Sequence, residues 1–264
     1  MRTILTELSF AFVCFKMNIA SAMEYRASFI SQVVFMIIND AIYFVFWWVF
    51  FDRFKEVRGW AMDDMFLLFA IITVGFGLGF GIFGNARSLP RLIAEGRLDY
   101  YLALPRNVLL HVLTTRSSLS AWGDLAFGLM TYVLTGRFSV PEIALFLVAS
   151  LCAGIVLVSF AVLAGSLTFF IGNAAQISEL AMNAVLTLAL YPANIFEGAV
   201  KFLMLTLIPA AFVGAIPAQL VSDFSWGKLG ALVGFSMLIA ASATAVFYAG
   251  LRRYESGSAL HVNL

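Results

Sequence analysis

The sequence predicts an all-α membrane protein with six transmembrane helices. Three observations carry that expectation. Hydrophobic residues fill 62% of the 264 positions and charged residues only 12%, the mean hydropathy is +0.96, and the apolar residues gather in runs of the length that a bilayer demands. A soluble domain of this size has about a quarter of its residues charged. The formal net charge of +1 argues against a nucleic-acid binder, which needs a basic face to displace counterions from phosphates. Cys14 and Cys152, the two cysteines, lie in apolar sequence without metal or CxxC spacing and read as small buried hydrophobes.

A spanning helix needs ~20 mainly apolar residues, because the hydrocarbon is ~30 Å thick and each residue rises ~1.5 Å. Before the first such run, residues 1–26 place Ile4, Leu5, Leu8, Ala11, Phe12, Phe15 and Ile19 on one helical stripe, and Glu7, Lys16 and Asn18 interrupt any continuous apolar core. That pattern predicts a helix lying in the interface, not a cleaved signal. The first span is then Phe29–Phe51. The second, Met65–Gly84, holds Gly75, Gly77, Gly79, Gly81 and Gly84, whose spacings permit close helix–helix approach in lipid. Val108–Leu134 is the third, polar in its first half, and Ile143–Ile171 the fourth, long enough to require tilt or a kink.

The next region has two readings. Asn173–Tyr191 just suffices to cross, Pro192, Asn194 and Glu197 break it, and Ala199–Ile216, divided by Pro209, is either a full span or a re-entrant hairpin. Irregular backbone at membrane depth survives only where protein or a water-filled cavity surrounds it. The last span is Gly227–Leu251. With six spans and a cytoplasmic N-terminus, the inner side takes nine arginines and lysines against six outside, with Arg116 inside a span. This favours the re-entrant hairpin, since a seventh crossing would move Arg252 and Arg253 to the outer side.

One substantial polar segment, Arg87–Asn107, is caught between two apolar spans. Its Leu92, Ile93, Leu98, Tyr101 and Leu102 are more apolar than a free loop needs, and Pro90 suits the first position of a short helix. It reads as a docking surface with apolar and arginine anchors. Catalytic patterns are missing: there is no HExxH, GxSxG or Walker lysine loop, and the histidines are His111 and His261 alone. The match Gly79-Phe80-Gly81-Ile82-Phe83-Gly84 to GxGxxG ends an apolar span instead of joining strand to helix, which rejects a nucleotide site.

Asp40 falls ~16 Å into the first span and Arg116 ~12 Å into the third at ~1.5 Å per residue. A carboxylate at such depth must face protein or water. Two uses are open: a structural ion pair between Asp40 and Arg116, or a substrate path in which Asp40 acts with Tyr43, Phe44 and Trp47 at i+3, i+4 and i+7 to hold an organic cation. Trp47 and Trp48 also suit an interfacial belt. Asp124, Glu179 and Asn183 read as hydrogen-bonding positions between helices. No metal-ligand pattern is present.

Ile93, Gly96, Leu98-Asp99, Leu102 and Pro105 resemble the cytoplasmic motif of the ABC-2 type permeases of the small six-span subfamily. Tyr191-Pro192-Ala193-Asn194-Ile195-Phe196, the repeated Ile208-Pro209-Ala210 and Ile216-Pro217-Ala218, and Gly250-Leu251-Arg252-Arg253-Tyr254-Glu255-Ser256-Gly257 agree with it, while Ser258 stands where that family would have Asn. The resemblance implies a single transmembrane domain over 1–264, with an interfacial helix (1–26), a cytoplasmic coupling helix in 87–107 and an extracytoplasmic re-entrant region at 192–218. It further implies a multi-pass protein of the bacterial inner membrane with both termini cytoplasmic. Arg91, Ile93, Glu95, Gly96, Leu98, Asp99 and Leu102 would form the ATPase contact.

The implied partners are two copies of an ATP-binding cassette ATPase, which holds ATP and Mg, and a second permease, either a related chain or another copy. This chain would bind no cofactor of its own and would export a small hydrophobic or cationic organic compound. Three alternatives stand beside that reading. An ion-coupled secondary transporter would use acids such as Asp40, Asp124 and Glu179, although no inverted repeat of broken spans is visible. An intramembrane enzyme would need a nucleophile–base pair or metal ligands at matching depth, and a purely structural subunit would stimulate no ATPase.

Overall fold

The structure, a computed structural model, describes residues 4–254. Arg2, Glu255-Ser256-Gly257, Ser258 and His261 therefore lie outside the described residues. Helix α1 (Ile4–Glu24) runs into α2 (Arg26–Phe54) with a break at Tyr25. It lies along the start of the third span, where its Asn18 amide donates to the Thr114 carbonyl at 3.0 Å. Phe10 meets His111 edge-on at 5.0 Å. Arg106 covers the Phe10 ring at 4.7 Å and sits 3.9 Å from Glu7.

A two-residue ladder, β1 (Glu56–Val57) and β2 (Trp60–Ala61), follows α2. Arg58 and Gly59 turn it at φ of 50° and 80°, the left-handed pair that a tight hairpin requires. Helix α3 (Met62–Phe83) is the central element, and its buried residues run from Met65 to Gly81. Gly75 and Gly79 lie against Gly154 of α8 (Val140–Ser166), and Gly77 against Leu125 of α7 (Ala121–Leu134). Packing is thus what these glycines serve. Gly81 is the exception: a β-carbon there would meet nothing within 4 Å.

The predicted third span is broken. Helix α6 (Val108–Thr114) stops six residues before α7 begins, and the unwound backbone between them is satisfied by the end of α3. Ser118 N–H donates to Phe80 O at 3.0 Å and Asn85 N–H to Arg116 O at 3.0 Å. The Asn85 side chain donates to Val112 O at 2.7 Å. Irregular backbone at this depth persists because protein supplies its partners.

Among the described residues, four helical stretches are long and apolar enough to cross a membrane: Arg26–Phe54, Met62–Ala94, Val140–Ile171 and Trp226–Leu251. The long fourth span continues from α8 into α9 (Thr168–Ile171). Helix α10 (Ala175–Ala189) has 15 residues, or ~22 Å at ~1.5 Å each, and is short for a crossing by itself.

Beyond Pro192, α11 (Gly198–Leu205), α12 (Ala210–Val213) and α13 (Ala215–Ser222) form a pair of arms bent by 59° at Thr206–Pro209. Both ends of this stretch are tied to the same end of the bundle. Arg58 of the hairpin bonds Glu197 at 2.7 Å and donates to Asn194 O at 3.1 Å, while Ser222 meets Asp64, near the start of α3, at 3.2 Å. The stretch thus begins and ends at the same end of the bundle. Helix α14 (Trp226–Leu251) then runs to the opposite end, where Tyr248 donates to Asn107 at 3.1 Å.

Candidate functional site

Between α2, α3, α7 and α10 lies a cavity of 390 Å³, within the size range of small-molecule sites. Asp40, Tyr43 and Trp47 line it from α2, Thr73 and Phe76 from α3, Asp124 from α7, and Asn183 and Tyr191 from α10 and the residues after it. Trp47 is 4% exposed and meets Tyr191 edge-on at 5.3 Å. It is a wall of the cavity, whereas Trp48, 60% exposed, keeps the position of a belt residue. Asp40 and Asp124 are both buried, and each has a side-chain oxygen without a hydrogen-bond partner. Buried acids at a cavity wall, each with an unpaired oxygen, are disposed to take a cation.

Two expectations for Asp40 change here. The ion pair with Arg116 does not form among the described residues; Arg116 lies with Asn18 and Tyr25 in a separate depression. Its depth was counted along a continuous helix from Val108, and the break before Ala121 carries it off that line. Phe44 leaves the substrate path as well, packing on Phe66, Phe69 and Phe127 at 5.2, 5.6 and 6.2 Å. At about 100° per residue Tyr43 and Trp47 lie about 60° and 20° to one side of Asp40, and Phe44 about 40° to the other, which is the core side. Asp124 is the second acid of the cavity, which the sequence pattern reads only as a hydrogen-bonding position between helices. Its burial opposite Asp40 follows from the contact between α2 and α7, not from any local spacing.

The polar segment is built from a 3₁₀ turn (Gly84–Ser88), α4 (Leu89–Ala94) and α5 (Asp99–Leu102). Between the helices Gly96 has φ of 69°, a left-handed conformation that glycine adopts without strain. Leu92, Ile93, Leu98 and Tyr101 were expected to face a partner, yet all four are buried in this chain's own core. The exposed rim of α4, α5 and the residues after them as far as Pro105 is Arg91, Ala94, Glu95, Arg97, Tyr100, Leu102, Ala103, Leu104 and Pro105. Of the expected contact set, Arg91, Glu95 and Leu102 are thus on the rim, Gly96 and Asp99 are half-buried, and Ile93 and Leu98 support it from beneath. Glu95 and Arg97 pair at 3.2 Å on the exposed side.

This segment is also anchored to α14. The Tyr254 ring lies edge-on to Phe169 at 6.2 Å. Burial, and after it the neighbouring Asp99, push the Tyr254 hydroxyl up to about 12. Asn107 caps α6 through a bond from Leu110 N–H at 2.9 Å while accepting from Tyr248.

A sequence-family model, ABC-2 family transporter protein, matches residues 37–258. The chain belongs to the ABC-2 transporter family. It is accordingly a multi-pass membrane protein and the permease component of an ABC transporter, and permeases of this family work with an ATP-binding cassette ATPase. The match covers the cavity, the Arg87–Asn107 segment and the returning pair of arms in one stretch. No curated protein and no solved structure matches this permease.

Proposed function

We propose that this permease is one half of an ATP-driven exporter of small hydrophobic organic cations. The observation that carries the reading is the 390 Å³ cavity in which Asp40 and Asp124 face Tyr43, Trp47 and Tyr191. Carboxylates neutralise the charge of such a ligand, and aromatic faces attract it through their quadrupoles while stripping its water.

Six crossings (α2, α3, α6 with α7, α8, α10 and α14) hold both termini and Arg87–Asn107 on the cytoplasmic side of a bacterial inner membrane. Two ATPase subunits bind ATP with Mg and dock on the rim of that segment. A second permease, a related chain or another copy, completes the path, and the permease itself carries no catalytic site.

The test has two parts. Purification from mild detergent should bring down an ATPase and a second six-span chain, and proteoliposomes of that complex should export tetraphenylphosphonium only with ATP. Asp40→Asn should cut this export about tenfold or more, the scale of losing one charge partner in a desolvated site. A second reading, an ion-coupled carrier, draws on the free oxygens of Asp40 and Asp124. It predicts export that follows an ion gradient and persists without ATP, an outcome that would replace the first reading.

A further inference from the structure

Arg87 stands where the docking segment meets the cavity. It belongs to the 3₁₀ turn that joins α3 to α4, two residues before α4 begins. Its side chain lines the cavity of Asp40 and Asp124. It also lines a second cavity, of 180 Å³, with Pro90, Arg91, Ser178 and Glu179. Asp124 lies in electrostatic reach of both Asp40 and Arg87, yet no ion pair joins Arg87 to Asp40, Asp124 or Glu179 among the described residues. Each of the two cavity acids keeps an oxygen without a partner. The cavity thus holds two buried acids and, at its edge, a permanent cation that they do not grip.

The backbone around Arg87 makes its position depend on α4. Asn85 is bonded to Arg116 O and Val112 O, which fixes the start of the turn on the broken third span. After the turn, Leu89 and Pro90 are buried against Gly165 of α8. Arg87 lies between these two fixed points on a long, exposed side chain, so a small displacement of α4 against α3 re-aims the guanidinium. Its planar fork can take two carboxylate oxygens at once.

We propose that Arg87 is an internal competitor for the substrate: movement of the docking segment brings its guanidinium onto Asp40 and Asp124, and the bound organic cation is expelled. The inference rests on the reading of the cavity as a cation site. It adds that release is a displacement of one cation by another, with the displacing charge carried by the element that the ATPase moves. In the resting arrangement the guanidinium stands off, leaving both acids to the ligand.

The experiment uses the purified permease–ATPase complex in lipid nanodiscs and proteoliposomes, with tetraphenylphosphonium as the probe. Arg87→Gln should bind the probe about tenfold more tightly and, at saturating probe, turn over about tenfold more slowly, with the ATPase still bound. Arg87→Lys, which keeps the charge, should restore most of the turnover. Wild-type affinity and turnover in Arg87→Gln, weaker binding in that variant, or an Arg87→Lys indistinguishable from it would overturn the proposal.

Asp40→Asn and Asp124→Asn separate this from the reading beneath it. If both bind the probe as wild type does, or if the wild type does not bind it, the cation site itself falls and the displacement with it. If they lose the probe while Arg87→Gln changes nothing, only the role of Arg87 falls.

Discussion

Tyr254 shows how single side chains tie the end of the last helix to the Arg87–Asn107 segment. Its hydroxyl is buried beside Asp99, and burial followed by that carboxylate raises it from 10.0 to about 12. Both causes oppose a second negative charge there, so the folded protein favours the neutral phenol. The sign follows from linkage: this contribution is fully present below pH 10 and is lost as pH rises through about 12. Tyrosinate difference absorbance of the wild type against Tyr254→Phe should show one late-titrating hydroxyl missing from the variant. Identical curves up to pH 10 followed by a late difference are expected; a difference already complete at pH 10 would mean that Tyr254 is free of Asp99.

At the scale of elements, the contact between α3 and α8 depends on having no side chain at one crossing point. A β-carbon on Gly154 would lie 2.7 Å from the Gly75 carbonyl oxygen, which is backbone and cannot step aside, whereas one on Gly81 would meet nothing within 4 Å. Gly154→Ala should therefore force the helices apart at a cost of ~1–3 kcal/mol, the usual price of overpacking. Gly81→Ala should leave the melting temperature of the detergent-solubilised protein unchanged. Equal melting of the two variants would contradict the close crossing. A milder loss is expected at the start of α6, where Asn107→Ala removes the cap on Leu110 N–H, worth ~1 kcal/mol; it also frees Tyr248, and the same thermal melt would record it.

These elements were legible in the sequence to different degrees, each for a physical reason. The run lengths located α2, α3, α8 and α14 to within a few residues, because lipid enforces a minimum apolar length. The glycine spacing marked close packing, but nothing local says that Gly75 meets α8 and Gly77 meets α7. The break before Ala121 was hidden because its bonds come from Phe80 and Asn85, some thirty residues earlier in the chain. In α4 and α5, of six and four residues, the pattern is too short to say which apolar face turns inward; Ile93 and Leu98 turned out to be core. Asp40, Tyr43 and Trp47 were legible through the helical period. The same period admitted Phe44, and only the position of α7 decides between the two sides.

On the scale of the whole molecule, the exposed rim of the Arg87–Asn107 segment has no slack beneath it. Leu89, Leu92, Ile93 and Leu98 are buried under Arg91, Glu95 and Leu102. Pro90 rests on α8 at Gly165, and Asn107 is bonded to Tyr248 of α14. A close-packed support transmits displacement instead of absorbing it, so a push on the rim reaches α3, α8 and α14 together. Gly96 is the weakest point of that support. It needs φ of 69° and donates its N–H to Ile93 O at 3.2 Å, and proline, locked near −65° without an N–H, can do neither.

In the reconstituted complex, Gly96→Pro should insert and bind the ATPase but lower the cation exported per ATP hydrolysed about tenfold. Asp99→Ala, which removes the carboxylate beside Tyr254 and leaves the turn intact, should act in the same direction and less strongly. The quantity to measure is the transport-to-hydrolysis ratio in proteoliposomes, with ATPase retention checked on the same preparation. An unchanged ratio in both variants would take Arg87–Asn107 off the transmission path. Loss of the ATPase from the complex would show that the segment governs assembly, and the coupling of the two halves of the cycle would then have to run through another contact.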